Sequence, residues 1–221
     1  MLFDLRSRGR RRTVQGVYLT LAILMGGGLV LFGVGAGNGL GGLLNAFTGQ
    51  GSGGAQKQAL SQEEKTALRE TQQSPSNPAA WAALVQARYS SASNGANFDP
   101  NTGEFTAAGK KELLATTQAW QQYQKLTTKP DPNVAILAAR AYSKLGNYAG
   151  AAGAWEIQSA ANPTAALGFE CLAANAYAAN QTRKGDLATA KALSLIPKAQ
   201  QLSIKQTLQQ AKTNPQVAQS C

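Results

Sequence analysis

From Thr13 to Gln56 no side chain carries a charge, and within that stretch Val17 to Gly37 is almost wholly apolar or glycine. A helix over 17–37 would span roughly 31 Å, the thickness of a bilayer's hydrocarbon core. Directly before it stands Arg6-Ser7-Arg8-Gly9-Arg10-Arg11-Arg12. Basic residues flanking a first span tend to stay in the cytoplasm, which predicts a cytoplasmic basic N-terminus (1–16), a transmembrane anchor (17–37) and a body outside the membrane. A second reading stays open, in which the apolar run is a secretory signal cut after the small residues Val34-Gly35-Ala36. Both readings export the body, and they differ in whether it stays tethered.

Glycine shapes the segment after the span, since 15 of the chain's 23 glycines lie in the first 54 residues. Gly33, Gly37 and Gly41 have the four-residue spacing that permits close helix approach in lipid. Their continuation into Gly49-Gln50-Gly51-Ser52-Gly53-Gly54 fits better a helix that loosens into a flexible linker over 38–60.

Charge and composition narrow the function classes. The net charge is +10, yet five Arg and one Asp crowd into the first 16 residues and the rest is spread thinly. No nucleic-acid footprint is expected from so diffuse a pattern. Histidine is absent, which removes the commonest base near neutral pH and the commonest transition-metal ligand. Two cysteines, Cys171 and Cys221, suffice neither for a metal cluster nor for a disulfide framework. Whether they pair with each other stays open, and Cys171, set among apolar helix residues without a histidine partner, reads as a buried structural thiol.

Beyond the linker the chain is rich in Ala, Gln and Leu without period-two alternation, so an all-α body over 61–212 is expected, followed by a flexible tail at 213–221. Ser61-Gln62-Glu63-Glu64 has the form of a capping box. A restart device of Asn or Asp before Pro occurs at Asn77-Pro78, Asp131-Pro132 and Asn162-Pro163, at intervals of 54 and 31 residues, which points to an internal repeat with an insertion in its first copy.

The unit from Pro132 to Pro163 carries Ala138, Ala139, Tyr142, Gly146, Tyr148, Ala151, Trp155 and Pro163 at the small, aromatic, glycine and proline positions of a helical hairpin. In this it resembles the tetratricopeptide repeat. Weaker copies flank it: one opens at Asn77 with Trp81 and Leu84, has Tyr89 one residue late, and takes an insertion over 91–104 before a helix over 106–127. The other runs through Leu167 to Asn180 and restarts near Gly185 after a turn longer than the family norm. The resemblance covers roughly 77–196, and a helix beginning at Pro197 would cap the stack. It implies an α-α superhelix whose concave face holds extended peptides or partner helices, with Arg88, Arg140 and Asn175 as candidate groove contacts. The alternative for each is a solvated polar residue on a helix face.

The remaining motifs supply no reactive site. Asp99 to Glu104 resembles a calcium loop, but its twelfth position would be Lys110. No glycine-rich turn carries a phosphate-binding Lys-Ser or Lys-Thr. Glu63-Glu64 is explained by a helix's first turn. The expected function is therefore non-enzymatic and cofactor-free, with a protein or extended peptide as partner: a membrane-anchored scaffold or chaperone-like accessory factor, its layout resembling bacterial translocon-associated accessory proteins. The alternative is a secreted or cell-envelope peptide-binding domain released by cleavage.

Overall fold

The computed structural model describes residues 61–221. The basic N-terminus, the apolar span at 17–37 and the linker at 38–60 lie outside the described residues. Among those described, no helix is long and apolar enough to cross a membrane.

The described chain is all-α apart from one two-residue hairpin. Its helices are α1 (Gln62–Gln73), α2 (Pro78–Ala92), α3 (Ala107–Leu126), α4 (Pro132–Lys144), α5 (Tyr148–Ala161), α6 (Ala166–Ala178), α7 (Thr182–Ser194) and α8 (Lys198–Gln210). Polar side chains start several of them where the sequence placed them. Ser61 Oγ accepts the Glu64 N–H at 3.1 Å, Asn77 Oδ1 that of Ala79 at 3.0 Å, and Asp131 Oδ1 that of Asn133 at 2.7 Å. Each such cap satisfies a donor that the first helical turn leaves without a partner, and Pro78 and Pro132 fill positions whose missing N–H costs nothing.

The third expected restart is different. Asn162 ends α5, its own N–H donating to the Gln158 carbonyl, and α6 begins at Ala166 with no side-chain cap. The Asx-Pro pair is spent on termination because the preceding helix is continuous up to Asn162, so the backbone needs a stop there before it needs a start.

The insertion is a 3₁₀ turn (Gly95–Asn97) and a small antiparallel hairpin, β1 (Phe98–Asp99) with β2 (Glu104–Phe105), in which Phe98 faces Phe105 with ring centroids 5.3 Å apart. Helices then pack as antiparallel neighbours, α2 on α3, α4 on α5 and α6 on α7. Trp120, Leu84, Val85, Leu113 and Val134 are the largest apolar side chains that are fully buried, while Leu114 and Leu126 stay exposed.

The turns of the last two hairpins are equivalent. Gly146 has φ +75°, and the Asn147 N–H returns to the Tyr142 carbonyl at 2.9 Å. Asn180 has φ +59°, and the Gln181 N–H returns to the Ala176 carbonyl at 2.8 Å. Both are left-handed helix ends of the kind glycine and asparagine tolerate. Because Asn180 does glycine's work, the α6–α7 turn is short, and α7 starts three residues before Gly185 instead of near it.

Gly185 itself serves the packing of α6 on α7. A Cβ there would lie 2.4 Å from two ring carbons of Tyr177, and the ring is held by hydrogen bonds from its hydroxyl to Asp186 at 2.8 Å and with Thr189 at 3.1 Å. Gly185→Ala is expected to cost about 1–2 kcal/mol, overpacking outweighing the gain in helix propensity. A chemical denaturation midpoint at or above that of the parent would refute the close approach.

Candidate binding surface

The last residues of the sequence, expected to be a free tail, are docked. Residues Pro215–Ser220 form a 3₁₀ turn lying against α6 and α4, with Ala211 and Ala218 fully buried. Cys221 is joined to Cys171 of α6 by a disulfide with its Cα atoms 5.6 Å apart, so neither cysteine is free. The pairing that the sequence left open is therefore made, because Cys171 lies on the side of α6 over which this segment runs.

Polar contacts hold the same segment. Arg140 of α4 donates from Nε to the main-chain oxygen of Cys221 at 2.9 Å. Gln219 donates to the Tyr148 hydroxyl at 3.1 Å. Lys212 stands 4.4 Å from the centre of the Tyr177 ring and 3.5 Å from Asp186. Main-chain capture by an arginine, apolar anchoring by Val217 and Ala218 and one covalent staple together bind a stretch of chain along the helices.

Of the three candidate groove residues, only Arg140 is exposed, and the structure does not bring the three together. Asn175 is 0% exposed, accepting from Ser143 Oγ at 2.6 Å and donating to the Cys171 carbonyl at 2.9 Å, so it links α4 to α6 from inside. Register explains this. The residues preceding α4 and α6 are Asp131 and Ala165, and 165 − 131 = 34; the turn residues give 180 − 146 = 34. Asn175 is thus equivalent to buried Ala141, and Arg140 to Ala174. Aligning Tyr177 with Tyr142 slips the register by one residue, since Tyr177 stands where Ser143 does.

Arg88 is also interior, 7% exposed, and counted from its helix start it falls on the buried Tyr142 position. It donates to the Ala115 carbonyl at 3.0 Å and lies 3.5 Å from the carboxylate of Glu64. Glu112 of α3 faces the same pair. Burial first, and then the Glu64 charge, push the Glu112 carboxyl up to about 7, with Arg88 opposing the rise. Burial likewise lowers the Arg88 guanidinium against the pull of both carboxylates. Two carboxyls around one guanidinium can hold a proton near neutrality, but Glu64 and Arg88 are enclosed by α1, α2 and α3, and none of the three lines the groove that opens between α1 and α2. This cluster ties helices together. Sequence reading missed it because Glu64 looked fully explained by the first turn of α1, and only the Glu64-to-Arg88-to-Glu112 convergence in space reveals it.

Among the described residues there is no group of three His, Cys, Asp or Glu placed to hold a metal ion. No family model, curated protein or solved structure matches the chain.

Proposed function

We propose that the chain is a single-pass membrane protein that holds a tetratricopeptide-like helical module outside the cytoplasmic membrane, where it binds protein or extended peptide segments as a scaffold or chaperone-like accessory factor. The observation that carries this reading is the docked segment. The faces of α4 and α6 hold residues 211–221 through a main-chain oxygen on Arg140, small apolar side chains and the Cys171–Cys221 disulfide, so this surface of the helical stack already carries one extended segment. Arg140 is the contact residue of that face, while Arg88 and Asn175 position the helices beneath it.

Two further observations support it. The 34-residue recurrence of helix start and left-handed turn is the period of the tetratricopeptide repeat. The Cys171–Cys221 disulfide suits an oxidising compartment, as a body exported past a cytoplasmic arginine cluster would meet.

Protease added to intact spheroplasts tests the topology. The helical body should be degraded without lysis, the arginine-rich N-terminus should stay with the membrane fraction, and neither cysteine should alkylate until a reductant is added. Digestion that begins only after lysis, with freely alkylated thiols, refutes the placement. A mature N-terminus at Gly37 would assign the body to the released form.

A further inference from the structure

A second surface is open where the docked segment's face is filled. Helices α5, α6 and α7 enclose a groove of about 610 Å³, and none of residues 211–221 lines it. Its floor is apolar, made by Phe169 and Leu172 of α6 with Leu187 of α7. Leu187 is 66% exposed, an unusual position for a large aliphatic side chain in the middle of a packed helix.

Of the four charged side chains that line the groove, Arg183, Lys184 and Lys191 are basic and Glu156 is acidic. Arg183, Leu187 and Lys191 follow one another at four-residue intervals, so they form a single stripe along α7 with a cation one turn to each side of the leucine. Lys191 extends over the Phe169 ring, 5.8 Å from its centre. Lys184 pairs with Glu156 of α5 at 2.6 Å and closes one edge. Among the described residues neither Arg183 nor Lys191 takes part in an ion pair. The bias extends beyond the groove, since residues 182–212 hold six basic side chains against Asp186 alone.

We infer that this groove is a docking site for an acidic amphipathic segment of another protein, seating a large apolar side chain on Phe169 and Leu187 between carboxylates that meet Arg183 and Lys191. The inference rests on the binding-module reading and names the chemistry of one partner. Apolar contact supplies the affinity, and the cations flanking it select acidic over basic partners. A concave groove with cations one turn before and one turn after its apolar centre suits a peptide better than the plane of an anionic bilayer.

The test uses the full chain in nanodiscs of zwitterionic lipid and two fluorescein-labelled helical peptides about four turns long. They share leucine anchors and carry either Glu or Lys one turn to each side. Anisotropy should show the acidic peptide bound at least about tenfold more tightly than the basic one, with the preference inverted in R183E/K191E and affinity lost about tenfold in L187D. These positions are exposed, so the helical signal and melting midpoint of the variants should match the parent. Equal binding of both peptides, or binding indifferent to R183E/K191E, overturns the site. Retention of the chain on anionic vesicles, lost in R183E/K191E while peptide binding is unmoved, assigns the stripe to a membrane surface and overturns it too. If the acidic peptide fails to bind while the spheroplast digestion still reaches the body and cross-links from the Arg140 face to a protein persist, the groove alone fails. A body found on the cytoplasmic side removes the wider reading.

Discussion

Replacing Cys171 and Cys221 by serine is expected to lower the stability of the helical body by about 4 kcal/mol. The disulfide closes a loop with a sequence separation of 50, and the loop-closure entropy removed from the unfolded chain by a crosslink of that span is of this order. For a body of this size that corresponds to a fall in melting temperature of roughly 10 °C. The loss begins locally. Once the crosslink is gone, the segment is held by the Arg140 bond to the main-chain oxygen of residue 221, the Gln219 bond to Tyr148 and the burial of Ala211 and Ala218. Trypsin should therefore cut first at Lys212 in the variant and in the reduced parent, and reductant should leave the variant unchanged. Identical melting of oxidised and reduced parent, with Lys212 equally resistant in both, would show that the crosslink constrains nothing.

Helix identity was legible in the sequence wherever a side chain acts on its own backbone. Asn77, Asp131 and Ser61 cap the helices they precede, and Gly146 ends the one it follows, because these are contacts across two or three residues. Register between repeats was less legible. Tyr142 and Tyr177 are chemically alike but stand one position apart in equivalent helices, and only the turn geometry at Gly146 and Asn180 tells them apart. That single step moves Asn175 from a groove to the interior. The groove beside Leu187 and the docked segment were not legible at all: the groove depends on how three consecutive helices, α5 to α7, pack in space, and residues 213–221, short and polar, hold their place through a partner 50 residues away.

Arg88→Ala should destabilise the body by about 3–5 kcal/mol, because it leaves Glu64, 2% exposed, without a counter-charge and the Ala115 carbonyl without its donor. The pair costs desolvation to assemble, and removing one partner leaves that cost with nothing to offset it. Glu112 adds a pH dependence of definite sign. Its carboxyl is raised in the folded chain from the ordinary 4.5 to about 7, so the fold favours the protonated form. The contribution is fully present below about 4.5, is lost as pH rises through 7, and stays absent above it. Denaturation midpoints of the parent should therefore decline between pH 5 and pH 8 relative to Glu112→Gln, whose neutral amide mimics the protonated state at every pH. At pH 8 the amide variant should be the more stable of the two, because two ionised carboxylates then share one guanidinium in the parent. Glu64→Gln should also lower the Glu112 midpoint, since it removes a charge that opposes ionisation. A parent that gains stability relative to Glu112→Gln over this interval would mean that Glu112 is ionised and paired in the fold, and that Arg88 balances both carboxylates.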